Sequence, residues 1–268
     1  QSWYGFVSNC VAAGLYGVEN LSGIPGTVGA APVQNIGAYG DEVKNSIQSV
    51  RAFDTQTNAF TEFTAQECQF EYRDSIFKKQ AGRHIVTSVV FALKKEGSVN
   101  TEYKDLKDFF LESPLSDASP TAALSAVRKA VLIIRARKLP DVLVPGTVGT
   151  AGSFFKNPII PTEQYIELKK KYPELPSYPA ASPAGVDADV GAGGARLFVK
   201  IPLGWVLEHV CAYKGVAKGN VGTYKNQALV LINNGNATAQ EVKAFAEEIA
   251  ATVKEKTGIV IEPEVQYI

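Results

Sequence analysis

A serine follows a glycine-rich stretch in the middle of the chain, at residues 146–158. The stretch reads GTVGTAGSFFKNP, so Ser153 comes directly after small, flexible residues. Glycine lets a backbone approach a ligand closely and adopt conformations that a side chain would block. Lys156 and Asn157 add a cation and an amide that can hold phosphate or sugar oxygens. The spacing indicates a ligand-binding loop, and the alternative is a glycine-rich turn before a core strand.

A second segment dense in glycine and alanine covers residues 17–40. Loops of this length are usually functional or disordered, and its apolar content argues against disorder. Backbone amides at Gly26, Gly29 and Gly37 could line a phosphate. The segment is neither a Walker A loop nor a G-x-G-x-x-G turn after a strand, so by itself it is a weak indication of a ligand.

The other residue types exclude the common hydrolytic and metal-dependent mechanisms. The two histidines, His84 and His209, fall in a predicted strand and a short predicted helix, where structural roles are expected. No Ser-His-Asp combination, H-E-x-x-H motif or cysteine cluster is present. Isolated Ser153, Arg73 and Glu264 remain, together with a lysine at 138. Such a set fits an enzyme whose cofactor supplies the difficult chemistry while the protein positions and polarises the substrate.

Composition sets the class of protein. The chain has 268 residues, enough for one large or two modest domains, and 27 basic and 27 acidic residues, which gives no reason to expect a nucleic acid or anionic membrane partner. No apolar run is long enough to span a bilayer, and no secretory signal opens the sequence. Three well-separated cysteines are expected to be buried free thiols of a cytoplasmic protein. Because the sequence starts at Gln1 and contains no Met, we expect an N-terminal part of the natural protein to precede it.

Hydrophobic periodicity predicts the elements that position these residues. Helices are predicted at residues 3–13, 120–137, 162–172, 204–210 and 238–257. Ser119 is a candidate cap of the second helix, and the last is opened by a Thr238–Glu241 capping box and closed by Gly258. Strands are predicted at residues 46–54, 60–63, 84–94, 197–201, 227–232 and 259–261, with the first two forming a hairpin. Residues 182–195 are predicted to be a surface loop. The order of elements indicates an α+β fold, with a domain boundary near residue 138.

Several motifs of the sequence resemble those of the UDP-N-acetylenolpyruvoylglucosamine reductase family, also called UDP-N-acetylmuramate dehydrogenase. The motifs that carry the resemblance occur in family order across nearly the whole chain: ENLSGIPG at 19–26, QNIGAYG at 34–40, YRDSIFK at 72–78, KLPD at 138–141, AGSFFKNP at 151–158, QALVLIN at 227–233 and EPEV at 262–265. TEYKDL at 101–106 resembles the mobile, substrate-covering tyrosine segment of the family's longer form.

The resemblance implies an α+β flavoenzyme of peptidoglycan precursor synthesis. Residues 1–138 would form part of an FAD-binding domain with the tyrosine loop, and residues 139–268 a substrate-binding domain. NADPH would reduce FAD, and the reduced flavin would give a hydride to UDP-N-acetylglucosamine enolpyruvate, forming UDP-N-acetylmuramate. Ser153 would protonate the neighbouring carbon, while Arg73 and Glu264 would stabilise the enolate-like charge.

The resemblance also assigns binding residues. The substrate-binding matches are Tyr103, Lys138, Asn157, Tyr178, Lys200 and Gln227. The flavin-binding matches are Ile24, Pro25, Gly26, Gly29, Ala30, Gln34, Ile36, Gly37, Tyr39 and Arg135. No metal site is implied, and we expect a monomer.

Several departures from the family pattern bear on these expectations. The family's first FAD-binding segment, with its glycine-rich pyrophosphate turn, has no counterpart. The chain is longer than usual at 141–153 and 182–195, Tyr224 stands where a histidine is usual, and Gln266 stands where an arginine is usual. Two alternatives therefore stay open: a truncated, non-catalytic remnant that binds a nucleotide sugar, and a related FAD oxidase. Retention of Ser153, Arg73 and Glu264 together weighs against an oxidase, which has no use for a carbon-protonating serine.

Overall fold

The computed structural model describes residues 1–115, 119–140, 148–180 and 197–267. Within these ranges the chain divides into two compact units, Gln1–Arg135 and Ala136–Ile268. Each contains helices and antiparallel strands around its own hydrophobic core, which confirms the α+β class. All of residues 182–195, the predicted surface loop, and part of the 146–158 stretch (146 and 147) lie outside the described residues. No helix of the described residues is long and apolar enough to cross a membrane.

The first unit is built around a three-stranded sheet and a long helix. Its elements, in chain order, are α1 (Trp3–Ala12), β1 (Gly37–Ala38), β2 (Asp41–Glu42), β3 (Ile47–Asp54), β4 (Ala59–Thr64), α2 (Ile76–Lys79), β5 (His84–Phe91), α3 (Lys104–Glu112) and α4 (Pro120–Lys138). The sheet order is β4-β3-β5, all antiparallel, and β1 and β2 form a separate two-stranded hairpin. The last residues of α4, from Ala136, belong to the second unit.

Hydrophobic burial explains why these segments fold as they do. Trp3, Val7 and Val11 lie on the buried face of α1, at helical spacing. The hydroxyl of Ser119 accepts a hydrogen bond from the backbone N–H of Ala122 (3.3 Å), so the predicted cap of α4 is confirmed. Helix α3 was not expected from the sequence, because only Leu106 of its residues is buried and its apolar pattern is short.

The second unit contains two further three-stranded sheets. Its elements are β6 (Ile159–Pro161), α5 (Thr162–Lys171), β7 (Tyr178–Pro179), β8 (Phe198–Lys200), α6 (Leu203–Trp205) continued by a π-helical turn at Val206–Val210, β9 (Ala217–Lys218), β10 (Val221–Tyr224), β11 (Gln227–Asn233) and α7 (Ala239–Thr257). The sheet orders are β6-β8-β7 and β11-β10-β9. Buried side chains of α7, β11 and the α6 region share one core.

The ends of α7 match the sequence prediction. The Thr238 hydroxyl and the Glu241 carboxylate form the predicted reciprocal capping box, and Gly258 ends the helix with a φ of +71°. The strand predicted at residues 259–261 is wrong in its bounds. Ile259 and Ile261 are buried, but the chain pairs only from residue 262 onward, against the segment that contains Ser153.

Candidate active site

Ser153 lies in an extended segment that pairs with β11. Gly149 and Asn233 exchange two backbone hydrogen bonds of 2.9 and 2.8 Å. The N–H of Phe154 donates to the carbonyl of Leu229 (2.9 Å), and Ser153 itself bridges to β11. The aromatic side chain of Phe154 is buried while Ser153 is exposed. The buried strand and the anchored phenylalanine therefore present the serine on the surface of the second unit.

Glu264 is held on the other side of the same segment. Its backbone N–H donates to the carbonyl of Phe154 (2.7 Å), and the N–H of Lys156 donates to the carbonyl of Glu262 (2.9 Å). The ammonium of Lys156 also lies 3.5 Å from the Glu262 carboxylate. Backbone pairing thus fixes the serine segment between β11 and the EPEV motif. Two of the three predicted catalytic residues are brought onto neighbouring extended segments of one unit.

Two predicted substrate-binding amides lie beside the start of α6. Asn157 accepts a hydrogen bond through Oδ1 from the backbone N–H of Leu203 (2.9 Å). A Cβ added at Gly204 would come within 2.8 Å of the Gln227 Oε1, so this glycine makes room for the Gln227 side chain. The α6 turn therefore holds Asn157 by a hydrogen bond and gives Gln227 space at the start of β11.

The remaining predicted substrate residues of this unit lie near its strands and at the end of α4. Tyr178 and Lys200 are directly opposite each other in the β7–β8 pair. Lys138 ends α4, and the preceding carbonyl, that of Arg137, accepts a hydrogen bond from the Asn226 side chain (2.8 Å). Asn226 precedes Gln227, so the helix end is fixed next to the start of β11.

Arg73 lies in the first unit and contacts the glycine-rich segment. Its Nη2 donates to the carbonyl of Gly37 (2.5 Å), and its backbone has a φ of +57°, a left-handed conformation uncommon for residues with a Cβ. The Lys78 ammonium donates to the Arg73 carbonyl (3.2 Å). A Cβ added at Gly37 would be 2.7 Å from Arg73 Nη1. The guanidinium can therefore approach this loop so closely only because residue 37 is glycine.

The loop that holds the predicted flavin-binding residues combines anchored and exposed positions. Ile24 and Ile36 pack against the core of the first unit. Gln34 and Gly29 are partly buried, whereas Pro25, Gly26 and Ala30 are exposed. Gly26 has a φ of +117°, and a Cβ placed there would meet no atom within 4 Å. Open space beside accessible backbone is what close approach of a phosphate-bearing cofactor requires.

A partly buried tyrosine and arginine form a pair at the end of the same loop. The Arg135 guanidinium donates to the Tyr39 hydroxyl, and burial raises the pKa of Tyr39 to about 12, although the neighbouring cation acts to lower it. Burial also disfavours the charged form of Arg135, and it therefore lowers the pKa of this guanidinium. The ring of Tyr103 meets the Tyr39 ring edge-on, with 5.5 Å between centroids. A partly buried cation and two aromatic rings therefore lie together at this end of the loop, which fits an anionic, aromatic cofactor.

Asn20 connects this loop to the segment that precedes Tyr103. Its amide donates to the carbonyls of Tyr39 and Asn100, both at 2.9 Å. Asn20 is buried, and its Oδ1 accepts no hydrogen bond from the described residues. An orphaned buried acceptor beside the loop is consistent with a hydrogen-bond donor supplied by a ligand.

Several residues with positioning roles were missed from the sequence. Asn35 is fully buried with a φ of +47°, and its amide donates to the Glu42 carboxylate (3.0 Å) and to the Glu71 carbonyl (2.9 Å). Ser75 donates to the carbonyl of Val33. These contacts fasten the YRDSIFK segment onto the QNIGAYG loop. An asparagine within a glycine-rich loop is a signal for left-handed backbone, but its partners are distant in sequence.

The histidines and cysteines have structural environments. His84 accepts or donates a 2.9 Å hydrogen bond with Gln80 and lies edge-on to Phe63 and Phe77, and His209 stacks on Trp205. The three cysteines are buried and free, as predicted. Among the described residues no group of His, Cys, Asp or Glu side chains is arranged to hold a metal ion.

The chain is similar to known reductases over nearly its whole length. Residues 144–268 match the family model for the UDP-N-acetylenolpyruvoylglucosamine reductase C-terminal domain. It is 43% identical to the UDP-N-acetylenolpyruvoylglucosamine reductase of Chromobacterium violaceum, over 98% of this chain and 72% of that protein. The corresponding protein of Polynucleobacter asymbioticus is 44% identical, over 98% of this chain and 69% of that protein. In structure, the chain is similar to UDP-N-acetylenolpyruvylglucosamine reductase from Thermus caldophilus, with a TM-score of 0.60, 21% identity, and coverage of 99% of this chain and 69% of that one.

Proposed function

The chain belongs to the UDP-N-acetylenolpyruvoylglucosamine reductase family of oxidoreductases, and from this we propose that it reduces UDP-N-acetylglucosamine enolpyruvate to UDP-N-acetylmuramate. The observation that carries the proposal beyond family membership is the backbone pairing that fixes Ser153 between β11 and the segment of Glu264. It holds Ser153 and Glu264 on neighbouring extended segments of one unit, which supports a joint role in the reaction.

The cofactor in this proposal is FAD, which supplies a hydride when bound and after reduction by NADPH. The residues that would hold it are those of the glycine-rich loop from Ile24 to Tyr39, together with Arg135. Three features support this assignment: the exposed backbone around Gly26, the partly buried Arg135 cation, and the Asn20 Oδ1, which accepts no hydrogen bond from the described residues. The segment from residue 1 to 135 would thus serve mainly to bind the flavin.

Ser153 is proposed to supply the proton. Hydride addition to the vinyl carbon leaves a pair of electrons on the neighbouring carbon and the adjacent carboxylate. The Ser153 O–H bond breaks as the new C–H bond forms, and solvent reprotonates the serine. A serine hydroxyl is a weak acid, so its transfer requires close alignment with the carbon, which the anchored segment can provide.

Arg73 and Glu264 are proposed to stabilise the charge that develops on the substrate carboxylate. A guanidinium can bind a carboxylate through two parallel hydrogen bonds, and its interaction strengthens as negative charge increases. Arg73 belongs to the first unit, and Ser153 and Glu264 to the second.

The other predicted residues would hold the nucleotide sugar. Lys138, Lys200 and Tyr178 offer cations and a phenol suited to diphosphate and carboxylate oxygens. Asn157 and Gln227, held near α6, offer amides for sugar hydroxyl groups. Tyr103, whose ring meets Tyr39, would cover the bound substrate.

A turnover assay tests the proposal. The purified protein, supplied with FAD, is mixed with NADPH and UDP-N-acetylglucosamine enolpyruvate, and NADPH oxidation is followed together with the mass of the sugar product. The expected result is substrate-dependent NADPH oxidation and a product heavier by one hydride and one proton. Binding of the sugar without any turnover would support the non-catalytic remnant instead. Production of hydrogen peroxide with an unchanged sugar would support an oxidase.

A further inference from the structure

The turn directly before Ser153 is held by the hydroxyl of Thr150, and we propose that Thr150 is a positioning residue for proton delivery by Ser153. The proposal rests on the proposed function of Ser153. Thr150 itself is not required to touch the substrate, because it acts through the backbone of the turn.

Thr150 makes two hydrogen bonds that connect the turn to the sheet. Its Oγ1 donates to the carbonyl of Leu231 in β11 (2.8 Å) and accepts from the N–H of Gly152 (3.1 Å). Gly152 has a φ of +83°, and its neighbouring residue in the chain is Ser153. One hydroxyl therefore joins the strand to the residue that sets the direction of the serine.

Among the described residues, one side of this turn borders open space. A cavity of about 250 Å³ borders Gly149, Thr150 and Ala151. A Cβ added at Gly152 would meet no atom within 4 Å, so this side of the turn is open among the described residues. Backbone pairing with β11 holds the turn at Gly149 and again at Ser153, and between these two points the hydroxyl of Thr150 connects the turn to β11 by its two hydrogen bonds.

Loss of this hydroxyl should affect the proton step more than any other. Misplacement of a catalytic group by about 1 Å can lower a rate by about 100-fold. Ser153 must reach the carbon that receives the proton, whereas reduction of the flavin by NADPH does not use Ser153. We therefore expect a defect confined to the reaction with the enolpyruvyl sugar.

The chain offers a matched control for this substitution. The hydroxyl of Thr257 donates to the carbonyl of Val253 (2.6 Å) and accepts from the N–H of Ile259 (3.1 Å), the same pattern of one carbonyl and the N–H two residues ahead. Thr257 ends α7, outside the turn that precedes the serine. Thr257→Val therefore removes an equivalent pair of hydrogen bonds without altering that turn.

The experiment compares Thr150→Val, Thr150→Ser and Thr257→Val with wild type in FAD-loaded full-length protein. Anaerobic rapid-mixing measurements follow flavin reduction by NADPH and flavin reoxidation by the enolpyruvyl sugar, in H₂O and D₂O. We expect Thr150→Val to reduce flavin at the wild-type rate, to reoxidise it about 10- to 100-fold more slowly, and to show a larger solvent isotope effect on reoxidation. Thr150→Ser and Thr257→Val should reoxidise at the wild-type rate. Should Thr150→Val not fold, Thr150→Ala removes the same hydroxyl and is tested in the same way.

The outcomes separate this inference from the proposed function. A Ser153→Ala protein that reoxidises as fast as wild type would contradict the function itself. If Ser153→Ala loses reoxidation but Thr150→Val keeps the wild-type rate, the positioning role is wrong. It is equally wrong if Thr150→Ser or Thr257→Val slows reoxidation as much as Thr150→Val does, because the effect would then not depend on this hydroxyl.

Discussion

Gly37→Ala tests whether the close approach of Arg73 to the glycine-rich loop matters for stability and for catalysis. An added Cβ would lie 2.7 Å from Arg73 Nη1, 2.9 Å from the Asp41 carbonyl and 3.0 Å from Glu42 Cγ. The arginine tip can move away, but the Asp41 carbonyl belongs to the β1–β2 hairpin and cannot move independently. Overpacking of this kind costs about 1–3 kcal/mol. Displacement of the guanidinium should also weaken its stabilisation of the developing charge, and so slow flavin reoxidation by the enolpyruvyl sugar by about 10- to 100-fold.

The assay for Gly37→Ala combines urea denaturation with anaerobic flavin reoxidation by the enolpyruvyl sugar. We expect the free energy of unfolding to fall by about 1–3 kcal/mol and the reoxidation rate to fall with it. Gly5→Ala is the control, because its added Cβ meets no atom within 4 Å and Gly5 lies inside α1. That change should stabilise the protein by about 0.5–1 kcal/mol, since glycine is a poor helix former. Wild-type stability and reoxidation in Gly37→Ala would refute the crowding argument.

Three further predictions concern other parts of the molecule. Asp54, paired with Arg83 at 2.7 Å, has a pKa lowered to about 2, so its contribution to stability is present above its unfolded pKa of 3.8 and is lost as pH falls toward about 2. The difference in unfolding free energy between wild type and Asp54→Asn should thus be constant near neutral pH and shrink in acid, and a difference that grows in acid would contradict this. Thr238→Ala should lower the free energy of unfolding by about 1 kcal/mol in urea denaturation, because it removes the cap of α7; an unchanged midpoint would argue against the cap. Tyr103→Ala should raise the KM for the UDP sugar by up to about tenfold, since an aromatic contact is lost, while leaving flavin reduction unchanged; a slowed flavin reduction would assign Tyr103 a different role.

The sequence predicted regular elements where local signals are strong. The capping box at Thr238, the Ser119 cap and the 46–63 hairpin all appear, because each depends on residues close together in the chain. Helix α3 and strand β10 were missed because their local patterns are weak: only Leu106 of α3 is buried, and β10 has only four residues. The pairing of residues 262–264 was displaced from the predicted strand because tertiary contacts override local propensity.

Site residues could be proposed from motifs, but their geometry could not. No periodicity indicates that Ser153 is fixed between β11 and the segment of Glu264, because that pairing joins residues about a hundred positions apart. Asn35 and Thr150 donate hydrogen bonds to the backbone carbonyls of Glu71 and Leu231. Every residue has such a carbonyl, so the sequence does not indicate which one is the partner. Long-range backbone pairing is thus the part of the site that only a structure reveals.

The central claim is that Ser153 delivers the proton to the reduced substrate. Anaerobic rapid mixing of Ser153→Ala with NADPH, and then with UDP-N-acetylglucosamine enolpyruvate, measures the two half-reactions separately. We predict flavin reduction at the wild-type rate and a loss of reoxidation of about 100-fold or more, the contribution expected of a general acid. Reoxidation by the sugar at the wild-type rate would contradict the claim.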